Sequence, residues 1–209
     1  MSDTDVRPTA TAAIPPATPE EYARILAELP ELDLLADEDV RLKVATVWAS
    51  FLRESTYATI AECPPFPPVA CDLASHTRCV VKNCVAMTAN LREFFDVEVD
   101  DTVLLAAALT HDASKLVEQH GPDGEQTVLG RSLLHGQVSG VRCLELGLPP
   151  DVAYIVTYHP FTPPHVHVKP KCVEFVILSW ADIGAADPLF WLNGMPTHLD
   201  IGRRFFTLD

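Results

Sequence analysis

The sequence predicts an all-α fold, and three observations carry that reading. Apolar residues recur at helical spacing through most of the 209 residues, capping residues and prolines punctuate those runs, and no period-2 alternation is long enough for a sheet. A chain of this length with 48% apolar residues can fill one core, and no internal repeat divides it. One helical domain over 18–209 is expected, after a mobile tail over 1–17 that holds Pro8, Pro15 and Pro16 and little large apolar surface.

Thr18, Pro19, Glu20 and Glu21 form a helix start: a capping hydroxyl, a proline at the first helical position, and acids at the positive end of the helix dipole. Tyr22, Ile25, Leu26 and Leu29 line one side of that helix before Pro30. A second helix is expected from about Asp37 to Ser55, where Val40, Leu42, Val44, Val47, Trp48, Phe51 and Leu52 give a broad apolar face. Pro64, Pro65, Pro67 and Pro68 then deny regular structure and predict a rigid crossing loop. The third helix runs from Ser75 to about Phe95, with Cys79, Val80, Cys84, Val85, Leu91, Phe94 and Phe95 at helical spacing and His76 in its first turn.

The helix expected from about Asp101 to Glu118 is the most apolar: Val103 to Leu109 is unbroken and leads into His111, Asp112, Ala113, Ser114 and Lys115. A loop with Gly121, Pro122 and Gly124 follows. Ser132 is expected to cap a helix carrying Leu133, Leu134, His135, Val138, Val141, Leu144 and Leu146, which Gly147 and Pro149 end. Pro150 and Asp151 open a short helix lined by Val152, Ile155 and Val156, and Pro160 places His159 at its end. Val173 to Ala186 is apolar nearly all round, apart from Glu174, Ser179 and Asp182. Trp191, Gly194, Pro196 and Phe205 are expected in a short helix or loop covering the body.

The formal charge of −14, from 29 acidic and 15 basic residues, argues against nucleic acid or an anionic membrane as the main partner. A small-molecule substrate is the expected partner, and a homodimer stays open. No continuous apolar run reaches the roughly 20 residues of a spanning helix, and the first residues are polar and acidic, which together predict a cytoplasmic location. The six cysteines lack a C-x-x-C pair and read as reduced thiols rather than disulfides or a structural zinc. Among them Cys79 and Cys84 are read as core thiols, Trp180 as packing, and His120, His165 and His167 as exposed-loop residues.

Six polar residues are stranded on otherwise apolar helices: His76, His111, Asp112, His135, His159 and Asp182. A lone buried carboxylate is expensive, and several buried histidines cannot all be cationic, so a shared metal site resolves these demands together. Lys115, one turn after His111, is placed to bind substrate or act as an acid, or to pair with Asp112 as a simple ion pair.

The order H…HD…H…H…D, with His111 and Asp112 adjacent behind an apolar helix, resembles the HD-domain metal-dependent phosphohydrolase superfamily. The resemblance covers about Ser75 to Asp187, leaving 18–74 as an N-terminal helical extension and 188–209 as a C-terminal cover. Leu133-Leu134-His135-Gly136 and Tyr158-His159 are similar to the branch that hydrolyses dinucleoside tetraphosphates. The resemblance implies a helical bundle holding two divalent metal ions, iron, manganese or zinc. His76, His111, Asp112 and Asp182 are then implied on one ion, with Asp112 bridging to a second that His135 and His159 complete. The implied activity is hydrolysis of a phosphoester or nucleotide-like small molecule through a metal-bridging water, with Asp112 and Lys115 catalytic. One departure is that Arg78 stands two residues after His76, and Cys79 takes the third position, where relatives often carry an arginine. Three other readings stay open: a hydrolase of a non-phosphate bond, a mixed-valent diiron oxygenase of a small polar substrate, and a non-catalytic sensing module.

Overall fold

The computed structural model describes residues 13–133, 136–160 and 168–200. Their secondary structure is helical apart from one two-stranded hairpin, in keeping with an all-α HD-type bundle. Helix α1 (Pro19–Glu28) begins with a reciprocal cap: the Glu21 N–H donates to the Thr18 hydroxyl, and the Thr18 N–H donates to the Glu21 carboxylate. A 3₁₀ turn, Pro30–Leu34, leads to α2 (Glu38–Glu54). Asp37 caps α2, Asp72 caps α3 (Leu73–Phe95) and Asp100 caps α4 (Asp101–Thr110), each carboxylate accepting from a first-turn N–H.

Helix α4 is the axis of the bundle, with every residue from Val103 to Thr110 buried. Helices α2, α3, α8 (Pro150–Tyr158) and α9 (Val173–Leu192) all pack against it, and α3 lies along α9. A short α5 (Lys115–Glu118) and the hairpin of β1 (Gln119–His120) and β2 (Glu125–Gln126) follow α4. Helix α6 (Val128–Ser132) precedes α7 (Gln137–Glu145), which packs on α8.

The N-terminal extension is continuous with this core rather than laid on it. Trp48 of α2 is fully buried and donates its indole N–H to the Leu109 carbonyl at 2.8 Å, next to the end of α4. Residues 13–17, assigned to a mobile tail on composition, are held: Arg53 donates to the Pro15 and Pro16 carbonyls, and the Ala17 N–H donates to Thr46 Oγ1.

Several expectations need correction. The helix expected to run unbroken to Glu118 stops at Thr110, and His111 to Ser114 form a turn before α5. Ser132 is the last residue of α6 instead of a cap, and the next helix begins after Gly136, whose φ of 86° suits glycine. Helix α9 passes Ala186 and includes Pro188, ending at Leu192. Trp191, placed as part of a cover, is 73% exposed, and Phe205 lies outside the described residues. Cys79 is exposed rather than in the core, and Trp180 is 53% exposed. Phe94 and Phe95, read as apolar-face residues of α3, are exposed as well. His120 is half-exposed in β1 beside Glu125, while His165 and His167 lie outside the described residues.

Charged residues divide the apolar stretches of α9 in the sequence, yet its 20 residues are long and apolar enough to cross a membrane by length and composition. Half of that stretch is buried inside the protein, which is what a central helix of a bundle requires. The cysteines are all free thiols.

One pH dependence follows from the first cap. Arg53 grips Glu21 through both carboxylate oxygens, at 2.8 and 2.5 Å, and that hydrogen bond, working against desolvation, lowers the Glu21 pKa from 4.5 to about 2. Because the folded-state pKa lies below the unfolded one, the pair stabilises fully above about pH 4.5 and its contribution fades as the pH falls toward 2. Arg53→Met is expected to cost about 1 kcal/mol at pH 6. Urea unfolding at a series of pH values should show the gap between variant and parent closing below pH 4.

Candidate metal centre

Four elements deliver polar side chains to one point beside the end of α4. His76 comes from the first turn of α3, where Asp72 caps the helix. His111 and Asp112 sit in the turn that ends α4, His159 follows the last residue of α8, and Asp182 lies midway along α9. The His76 Nε2 lies 3.3 Å from Asp112 Oδ2, 3.2 Å from Asp182 Oδ1 and 3.4 Å from His111 Nε2. The His111 Nε2 is 3.6 Å from Asp112 Oδ2 and 3.9 Å from Asp182 Oδ1. On the other side of the same carboxylate, His159 Nε2 is 3.7 Å from Asp112 Oδ1. Two sets, His76–His111–Asp112 and His111–His159–Asp182, each bring their ligand atoms within 4.8 Å of one another.

Backbone carbonyls set the tautomers. The Ala108 carbonyl lies 2.8 Å from His111 Nδ1, and the Val156 carbonyl 2.7 Å from His159 Nδ1. A carbonyl only accepts, so each Nδ1 carries the proton, and in the neutral ring the Nε2 lone pair faces the cluster. Burial drives the His111 pKa down to about 4, so its imidazole is neutral at ordinary pH. Burial acts the same way on His76, but its hydrogen bonds to Asp112 and Asp182 and their charges outweigh that effect and raise it to about 9. Asp182 is correspondingly held well below the usual carboxylate range: burial opposes this, and the His76 hydrogen bond with the neighbouring imidazoles overcomes it.

These side chains fit a divalent cation. Imidazole nitrogens and carboxylate oxygens converge, with almost no solvent access, and the carboxylates of Asp112 and Asp182 supply the negative charge that such an ion balances. His135, the remaining residue of the sequence series, lies outside the described residues.

Lys115 opens α5 at the rim. Its Nζ lies 3.8 Å from Asp112 Oδ2, as the ion-pair reading expects, and donates to the Pro65 carbonyl at 3.0 Å. Arg78 is turned away: its Nε donates to both oxygens of the buried Glu31 carboxylate, tying α3 to the Pro30–Leu34 turn.

The sequence profile of the HD domain family matches residues 73–187, a little over half of the chain. The chain belongs to the HD domain family. No significant match was found among curated proteins, and none among solved structures. The HD segment includes His76, His111, Asp112, His135, His159 and Asp182, and begins at the first residue of α3. Members of this family are typically metal-dependent phosphohydrolases, and its domains bind divalent metals.

Some contributors around the HD site were not singled out from sequence. Phe66 meets the His76 ring edge-on at 4.8 Å, and the only sequence signal for it was an aromatic residue within a proline cluster. The carbonyls of Ala108 and Val156 carry no side-chain signature at all. Gly136 is a third: a Cβ there would fall 2.5 Å from the Val156 carbonyl and 3.3 Å from His159 Cε1, at a positive φ. Gly136→Ala is expected to cost at least about 2 kcal/mol. It should also weaken metal retention, since the clash falls on the carbonyl that orients His159. Denaturant midpoints with metal analysis of the same samples check both.

Proposed function

We propose that the chain is a dinuclear metal-dependent hydrolase of phosphoesters, with His76, His111, Asp112 and Asp182 at one ion and His135 and His159, with Asp112, at the second. The observation that carries this reading is the division of Asp112: Oδ2 faces His76 and His111, whereas Oδ1 faces His159. A carboxylate whose two oxygens face different imidazoles supports the reading of two cations sharing it. When bound, those ions would activate a bridging water and neutralise charge on the phosphoryl group.

The protein's own groups divide the remaining work. Asp112 and Asp182 hold the negative charge that keeps the ions in place, while the Ala108 and Val156 carbonyls keep the lone pairs of His111 and His159 aimed inward. Lys115, 12% exposed at the rim, binds an anionic phosphoryl oxygen and donates a proton to the leaving group. The near-complete burial of the imidazoles excludes bulk water, which strengthens each of these interactions. The free thiols suit the reducing cytosol, where we place the enzyme.

The test is chelation followed by reconstitution with manganese, ferrous iron or zinc separately, assayed with phosphomonoesters, phosphodiesters and dinucleoside polyphosphates. At least one ion is expected to restore hydrolysis of a phosphoester in the absence of oxygen. Turnover that depends on oxygen, or none with any ion, overturns the reading.

A further inference from the structure

The metal cluster is closed on almost every side. His76, His111, Asp112 and His159 are at most 2% exposed, and among the described residues of the cluster the side chains that reach solvent are Asp182, at 21%, and Lys115, at 12%. Phe66 stands at that opening, on the proline-rich crossing between α2 and α3. Its ring packs edge-on against His76 at 4.8 Å, and Lys115 Nζ lies 5.7 Å from its centroid. Its neighbour Pro65 holds the same lysine through its carbonyl at 3.0 Å.

Phe66 is itself buttressed. Its ring meets Phe190 of α9 edge-on at 5.1 Å, and Phe190 stacks on His198, whose Nδ1 lies 2.7 Å from Asp187 Oδ1. His76 depends on this wall more than its partners do. Carbonyls clamp the Nδ1 atoms of His111 and His159, but His76 Nδ1 has no hydrogen-bond partner among the described residues, and the Phe66 ring packs edge-on against it while Asp112 and Asp182 hold its Nε2. Phe66 and Phe190 both lie outside residues 73–187, one on each side, so this wall is contributed by the flanking parts of the chain.

We propose that Phe66 determines specificity and restricts the site to compact phosphomonoesters, an inference that rests on the phosphoesterase reading above. The phosphate pairs with Lys115 and the small ester substituent packs on the Phe66 ring. Hydrolysis adds water across the phosphorus–oxygen ester bond and releases an alcohol and inorganic phosphate. A nucleoside substituent has to displace Phe66, and so loses its contacts with His76 and Phe190. The net charge of −14 further disfavours a polyphosphate chain.

The experiment compares wild type, Phe66→Ala, Phe66→Leu and Phe66→Tyr on phenyl phosphate and adenosine 5′-monophosphate. Binding of the non-hydrolysable phenylphosphonate is measured by calorimetry on the same metal-loaded samples. Wild type should favour phenyl phosphate in kcat/KM by more than about tenfold, and Phe66→Ala should narrow that ratio by about tenfold. Phe66→Leu, which keeps the apolar bulk should the alanine variant not fold, should narrow it partly, and Phe66→Tyr should retain it. Phenylphosphonate should bind Phe66→Ala at least about tenfold more weakly. A ratio unchanged between variants with equal metal content, or phenylphosphonate affinity that ignores Phe66, overturns the proposal. Phe66-dependent phenylphosphonate binding without any phosphomonoester turnover sinks the hydrolase reading and leaves Phe66 as the ligand-selecting residue.

Discussion

Replacing Asp112 with Ala is expected to lower kcat by at least about 10³-fold in metal-reconstituted enzyme. Asp112 faces His76 and His111 through one oxygen and His159 through the other, and its removal leaves His76 with Asp182 alone and His159 without its facing oxygen. It also leaves Lys115 without the carboxylate 3.8 Å away, so this lysine loses its anchor on that side. Asp112→Asn keeps the shape of the side chain and separates loss of charge from loss of packing, since the residue is only 2% exposed. Circular dichroism on both variants checks that the helices persist. Turnover within about tenfold of the parent would remove the bridging role assigned to this residue.

The largest stability effect is expected at Trp48. Trp48→Ala should cost about 3–5 kcal/mol, because the indole is fully buried and its loss leaves a cavity as well as removing apolar contact. It also strips the Leu109 carbonyl of its 2.8 Å indole donor, two residues before His111. Domains of this kind are stable by only about 5–15 kcal/mol, so the variant should lose a large share of its stability and retain metal poorly. Trp48→Phe, which keeps a ring but not the donor, should lie between the two. Denaturant unfolding decides it: a loss below about 1 kcal/mol for Trp48→Ala would mean that α2 is an appendage to the HD segment and not part of its core.

Much of the framework was legible because caps and apolar spacing are local. Thr18, Asp37 and the Pro150–Asp151 pair mark helix starts through chemistry within one turn, and the structure places helices there. The site residues could be read because polar side chains on apolar helices violate the pattern around them, as Asp182 does in α9. What escaped depends on contacts distant in sequence. The break after Thr110 is invisible to periodicity, since the apolar run favours continued helix while the turn directs both His111 and Asp112 toward His76. Cys79 was misplaced for a related reason: spacing along α3 alone does not say which side of the helix meets the core. Phe66 reaches His76 only because the prolines fold the crossing loop back over α3, a tertiary outcome that no local window contains.

The most direct test of the central claim is elemental analysis of protein purified without chelator under anaerobic conditions, alongside Asp112→Asn prepared in the same way. The account predicts about two first-row transition-metal ions per folded chain, falling to about one or fewer in the variant. Folded wild-type protein that carries no such ion, and takes none up from iron, manganese or zinc salts, would contradict it.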